Sequence, residues 1–275
     1  MILYHYTTIS ALLAILQPES LRFHCTRHDY LNDKQELTYC KDGFLNMLKD
    51  YEIENCIQGE LKLADSIRVR EYETETLGNP NYYILSLSQN KDSLPMWRMY
   101  GEECNGIAIG INIDERNAIS AEDSLLISIL SLISTEFSGF ELNKIRYGIK
   151  QDFVSAKINS MYMAIQQNRA DINTIHNVFS GFIQDSAIYI KSPVFDYEKE
   201  WRLALSETDN KPKYKVRNNV IVPYVEISLN KNMLKEIVLG PSCEYELNNK
   251  SLKMLLNSRG YEHVKICKSE ILYRR

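Results

Sequence analysis

The feature that most constrains the fold is the last third of the chain, where strand-forming segments follow one another with only turns between them. Glu200 to Ser206, Asn219 to Leu229 and Lys235 to Leu239 read as strands. A turn at Gly240-Pro241-Ser242, a helix from about Glu246 to Ser258 and a further strand at Val264 to Cys267 follow. A regular βα alternation would announce a doubly wound parallel sheet, whereas strands in runs do not. The expected class is therefore α+β, a mixed and strongly twisted sheet with helices segregated around it.

The earlier segments fit that class. Ile2 to Tyr6 reads as a strand, and Thr7 or Thr8 caps a helix whose apolar positions Ile9, Leu12, Leu13 and Leu16 run up to Pro18. Leu21 to His24 is a second strand. Asn32-Asp33 opens a helix in which Asp33 and Glu36 are spaced as an acidic capping box. Gly43 and Gly59 weaken the continuation of that helix to about Glu75, and Gly78-Asn79-Pro80-Asn81 is a turn. Tyr82 to Ser88 is a strand, Leu94 to Tyr100 a short helix closed by Gly101, and Gly106 to Ile111 another strand. Between Ala118 and Lys150 the period is ambiguous, with Leu142 to Gly148 extended. Asp152 to about Ile190 is helical, interrupted near Asn168 to Asn173. No linker sets these helices apart, so the expectation is a single domain over 1–275 with a helical insertion at about 150–190.

Composition narrows the function classes. With 44% hydrophobic and 25% charged residues the chain is an ordinary globular protein, and its net charge of −4 supplies no global field for nucleic acid. Lys211, Lys213, Lys215 and Arg217, with Arg274 and Arg275, are the local basic candidates, and the alternating lysines read first as a solvated strand edge that resists aggregation. Six cysteines without C-x-x-C spacing read as reduced thiols. There is no basic, signal-like N-terminus, and the longest apolar stretch, Leu125 to Ile133, is far short of the ~20 residues of a membrane span. A cytoplasmic protein with no membrane partner is expected.

No phosphate-binding glycine loop, H-E-x-x-H or G-x-S-x-G is present. His24 and His28 fall in a strand and a loop, so they do not converge as helical neighbours do, and no metal site is assigned. The most informative run is Phe195 to Leu203. Strand alternation would set Glu198, Glu200 and Arg202 on one face and Lys199, Trp201 and Leu203 on the other, either as a tunable ionic cluster in a cleft or as a solvated salt-bridge ladder. His5-Tyr6-Thr7, where a strand meets a helix N-terminus, suits phosphate or ribose hydroxyls, and equally a core histidine beside a capping threonine. Ser86 and Ser88 share one strand face. Trp97 and Tyr100 could stack a ring, or simply pack the core. Asn32, Asp33 and Glu36 read first as a turn and cap.

In order, Leu3-Tyr4-His5-Tyr6-Thr7, Leu31-Asn32-Asp33 with Glu36, Leu85-Ser86-Leu87-Ser88, Met96 to Gly101, Lys191 with Glu198 to Arg202, and Ile237 to Pro241 resemble a bacterial family of unknown function, DUF2971. That family looks like a remote branch of the ADP-ribosyltransferase fold, a split and twisted sheet that holds nicotinamide adenine dinucleotide (NAD) across a central cleft. The resemblance implies NAD as co-substrate and either ADP-ribosyl transfer to a protein, nucleic acid or small molecule, or NAD glycohydrolysis, in the setting of a bacterial toxin or phage-defence effector. It implies Glu200 as the carboxylate that opposes positive charge on the ribose, Glu198 as the group at the acceptor, and a dinucleotide site of His5, Tyr6, Thr7, Ser86, Ser88, Trp97, Tyr100 and Arg202. One departure stands out: a first-strand His usually accompanies a pocket Tyr, whereas Ser-x-Ser and Glu-x-Glu usually accompany an Arg. A non-enzymatic nucleotide-sensing or protein-interaction module of the same fold is the alternative, and a metal-dependent hydrolase the third.

Overall fold

The computed structural model describes residues 1–31, 36–59, 62–67, 82–113, 118–121, 124–127, 140–167, 169, 171–206 and 212–273. The cap at Asn32-Asp33, the turn at Gly78-Asn79-Pro80-Asn81, Lys211 and Arg274-Arg275 lie outside them, as does the side chain of Glu36. From the start, the elements are β1 (Ile2–Thr7), α1 (Ile9–Ile15), β2 (Ser20–Arg27), α2 (Glu36–Glu54), a short helix α3 at 63–67, β3 (Tyr82–Ser88), α4 (Leu94–Tyr100) and β4 (Ile107–Asn112). The middle holds β5 (Ala118–Ala121), β6 (Ser124–Ile127), β7 (Phe140–Lys144), β8 (Arg146–Tyr147), α5 (Gln151–Gln166), α6 (Ile172–Ala187) and β9 (Ile190–Lys191). A 3-10 helix (Pro193–Glu198) then leads into β10 (Glu200–Ser206), β11 (Lys213–Arg217), β12 (Val220–Asn230), β13 (Leu234–Leu239), α7 (Tyr245–Ser258) and β14 (Lys265–Lys268). None of the described helices is long and apolar enough to cross a membrane.

The chain divides into two compact units, Met1–Tyr30 with Tyr82–Lys144 and Asp196–Arg275, and Leu31–Asn81 with Ile145–Phe195. The helices at 150–190 thus belong with α2 in the second unit. There Cys40, Phe44 and Leu48 of α2, Val154, Ile158 and Met161 of α5, and Ile175, Phe179 and Ile183 of α6 recur at helical spacing and bury one core. Helix α2 stops at Glu54, and the buried Glu52 carboxylate accepts from the Leu63 and Ala64 amides (2.6 and 3.0 Å) and from the Tyr162 hydroxyl (2.8 Å), satisfying the first turn of α3 from a distance.

Among the described residues, the first unit holds a β5–β6 ribbon and a ten-stranded, mostly antiparallel open sheet in the order β11-β12-β2-β3-β1-β4-β13-β14, with β10 on β3 and β7 on β10; within that sheet only β13 and β14 run parallel. Strand β3 organises it. Strand β10 pairs along its whole length, from Glu200 opposite Ser88 to Ser206 opposite Tyr82. The other edge of β3 meets β2 at Ile84 and Tyr83 and meets β1 at Ser88 alone, so β1 and β2 part along it.

Paired residues project to the same face, and the pairings sort the side chains cleanly. One face carries Leu3, Phe23, Leu85, Leu87, Ile109, Trp201, Leu203, Val225 and Ile237 beneath Leu12 and Ile15 of α1 and Leu252 and Leu256 of α7. Helix α1 is placed by its cap, in which the Thr8 hydroxyl accepts from the Ala11 amide at 3.0 Å. The opposite face carries Tyr4, Tyr6, Ala108 and Val238 under Met96 and Trp97 of α4, and beside them Ser86, Ser88, Glu200 and Arg202.

Where β4 begins and β13 ends, the chain crosses itself without side chains. A Cβ on Gly106 would lie 2.3 Å from the Thr7 carbonyl, and one on Gly240 would lie 2.6 Å from the Cys104 carbonyl. This close approach accounts for the glycine of the Gly240-Pro241 turn by packing.

Candidate functional site

The run from Glu198 to Arg202 departs from simple alternation. Glu198 closes the 3-10 helix, Lys199 adopts a left-handed conformation at φ 44°, and the strand starts only at Glu200. A side chain with a Cβ rarely adopts that conformation without support from its surroundings. The support is a seam of hydrogen bonds from the end of β3. The Ser88 hydroxyl donates to the Glu198 carbonyl (2.5 Å), the Gln89 amide to the Lys199 carbonyl (3.0 Å) and the Asn90 side-chain amide to the Tyr197 carbonyl (2.7 Å). The Asn90 amide closes the seam on the Ser88 oxygen at 3.0 Å.

The seam aims two carboxylates. Glu200 lies cross-strand from Ser88 and Arg202 from Ser86, on the same face. Arg202 donates to Glu200 through Nε at 2.9 Å and through a terminal nitrogen at 3.0 Å, a two-pronged contact that fixes both groups. Glu198, placed by the 3-10 turn and not by strand alternation, accepts from the Tyr100 hydroxyl at 2.8 Å. Ser88, Glu198, Glu200 and Arg202 are all less than 5% exposed. The joint placement of Glu200 and Arg202 was legible from alternation; the part played by Gln89, Asn90 and Tyr197 was not.

His5 and Thr7 stand apart. By register with β4, His5 shares the face of Leu3 and Ile109, opposite to that of Tyr4, Tyr6 and Glu200. Its ring sits edge-on to Phe23 at 5.4 Å, and Nδ1 reaches the Ser86 carbonyl (3.1 Å) across the parting of β1 and β2. Burial lowers its pKa against the raising effect of that hydrogen bond, which favours a neutral ring. A single dinucleotide site would gather His5, Ser88, Trp97 and Glu200 around one cleft, but period-2 alternation along β1 sets His5 on the sheet face opposite to Tyr4, Tyr6 and Glu200. Thr7 lies on the His5 side, and the helix cap is Thr8.

Tyr6 and Trp97 lie on the polar face but are occupied. The Tyr6 hydroxyl donates to the Asn90 carbonyl (2.8 Å), and burial raises its pKa. Trp97 is fully buried, edge-on to Tyr6 at 4.8 Å, with its indole N–H donating to Asp92 at 2.6 Å. It is a core residue and not a stacking platform.

A second polar cluster on this face escaped the sequence reading. Glu236 of β13 accepts from the Tyr4 hydroxyl (2.7 Å), the Lys91 ammonium (2.7 Å) and the Cys267 thiol (3.2 Å). Burial pushes its carboxyl up, but the bonds from Lys91, Tyr4 and Cys267 outweigh that and hold its pKa below the ordinary value. The available signal was a glutamate at a core-facing position of a strand whose other residues, apart from the exposed Lys235, are apolar. Among the described residues no group of three His, Cys, Asp or Glu side chains is placed to hold a metal.

These features define an α+β protein with a buried acid–arginine cluster on one face of a forked sheet. The family described as "Protein of unknown function (DUF2971)" matches residues 96–203, from α4 through the start of β10, and supports the family read from the motifs. No curated protein and no solved structure matches the chain.

Proposed function

We propose that the chain cleaves the bond between nicotinamide and ribose in NAD and passes the ADP-ribosyl group to an acceptor or to water. One observation carries this reading: Ser88, Glu198, Glu200 and Arg202 meet beside the point where β1 and β2 part along β3, with strained Lys199 between the two carboxylates. Backbone strain held by a dedicated seam gathers at functional sites more than in plain strands. The fork is also what a split sheet of the ADP-ribosyltransferase-like type would have.

Cleavage of the glycosidic bond builds positive charge on the ribose, and a fixed carboxylate beside it lowers the barrier. Glu200 is that carboxylate, and Arg202 positions it. Glu198, oriented by Tyr100, stands where an acceptor hydroxyl or water would be steered. Ser86 and Ser88 line the nicotinamide side. His5 and Thr7 take no part, and Tyr6 and Trp97 support the site from beneath.

The burial of these groups favours a second reading, in which the cluster only fixes the sheet of a nucleotide-sensing or protein-interaction module. Calorimetric titration with NAD followed by a nicotinamide-release assay separates the two. The enzymatic reading expects binding and release in the wild type. Glu200→Gln should keep binding and lose roughly a hundredfold to a thousandfold in turnover. Full activity in that variant removes Glu200 from the chemistry, and a wild type that neither binds nor cleaves NAD favours the module.

A further inference from the structure

The outermost strand of the sheet carries a surface that the acid–arginine cluster does not use. Strand β11 pairs with β12 alone, so that among the described strands its far edge ends the sheet. Its side chains alternate sharply. Tyr214 and Val216, opposite Pro223 and Ile221, lie on one face, and Tyr214, Val216 and Ile221 are 65%, 73% and 66% exposed. Lys213, Lys215 and Arg217 lie on the other. Within β11, β12 and β2 the only carboxylate on that basic face is Glu226, already bonded to Lys213 and 3.5 Å from His24. Lys215 lies over the Tyr224 ring at 5.2 Å, and Arg217 donates to the Tyr30 carbonyl, a neutral group. The edge is therefore apolar on one side and has a surplus of positive charge on the other.

A second copy of the chain is a poor occupant. In the antiparallel pair of β11 edges that overlaps both strands fully, Lys215 faces Lys215 and Lys213 faces Arg217 of the other copy, and like charges directly opposite are destabilising. A one-residue slip instead sets each basic residue against an apolar one. The same lysines that block self-association favour a strand of opposite charge.

We propose that the β11 edge docks an extended protein segment that alternates acidic and apolar side chains, added as the next strand of the sheet. Its acidic residues pair with Lys213, Lys215 and Arg217, its apolar residues cover Tyr214 and Val216, and main-chain hydrogen bonds join the two. Alternation is what distinguishes this partner from a polyanion, because it must satisfy both faces of one strand.

The test is fluorescence anisotropy of the full chain with labelled heptapeptides. One alternates glutamate and valine, a second alternates lysine and valine, and a third has the first's composition with its glutamates contiguous. The alternating acidic peptide should bind at least about tenfold more tightly than either control, and Lys215→Glu and Val216→Glu should each weaken it by about tenfold or more. Amide exchange in Lys213–Arg217 should slow when it binds. Thermal melts matching the wild type show that the variants are folded. Equal binding of the contiguous acidic peptide overturns the proposal in favour of charge attraction alone. Absence of binding overturns it too, as does capture of anionic vesicles or single-stranded DNA with no effect of the alternating peptide.

Discussion

Arg202 is the side chain on which the acid–arginine cluster depends. It is 1% exposed and donates twice to a carboxylate that is itself buried. Removing one member of such a pair leaves an uncompensated buried charge, so Arg202→Ala should destabilise by about 3–5 kcal/mol, read as a lower denaturant midpoint. His5 offers a contrast at the same scale. Burial holds its pKa below the ordinary 6.5, so the folded chain binds fewer protons than the unfolded one. Its contribution is fully present well above pH 6.5 and falls as the pH drops through that unfolded value. His5→Asn should flatten that acid loss, measured by denaturant melts across pH 5 to 8. The sequence allowed two readings of His5, a ribose contact and a satisfied core histidine, and the ring's contact with Phe23 and its bond to the Ser86 carbonyl favour the second.

At the scale of elements, most of the first unit was legible because its patterns are local. The bounds of α4 are those read from Leu94 to Tyr100 and the closing Gly101, and β3 and β10 run as their strand formers indicate. Gly43 and Gly59 weakened the reading of one continuous helix, but the stop of α2 at Glu54 was not legible, since no local pattern announces that Glu52 will cap α3 at Leu63 and Ala64. The site was half legible for the same reason: alternation joins Glu200 to Arg202, but the left-handed Lys199 breaks it one residue earlier, and that turn rests on Gln89 and Asn90, far away in sequence. Helix α4 is short and held by one large side chain. Trp97→Ala removes a fully buried ring and its bond to Asp92, and should cost about 3–5 kcal/mol in chemical denaturation.

For the whole first unit, stability should be graded along the sheet. Among the described strands, β1, β4 and β13 have neighbours on both edges and carry Leu3, Ile109, Ile111 and Ile237 at 0% exposure, whereas β11 has one neighbour and exposed side chains. Native-state amide exchange should therefore be slowest in Ile107–Ile111 and Ile237–Leu239 and fastest among the sheet strands in Lys213–Arg217; uniform protection across the ten strands would contradict this order. The pairing of β4 with β13 has a further consequence, in the time domain of synthesis. A ribosome adding about 5–20 residues per second needs roughly 6 to 25 s to travel from Asn112 to Leu234. Through that interval the nascent chain holds an apolar strand edge whose native neighbour does not yet exist. The sheet thus reaches its final order only once β13 has been made, and the newborn chain depends in the meantime on holding that edge away from other nascent chains.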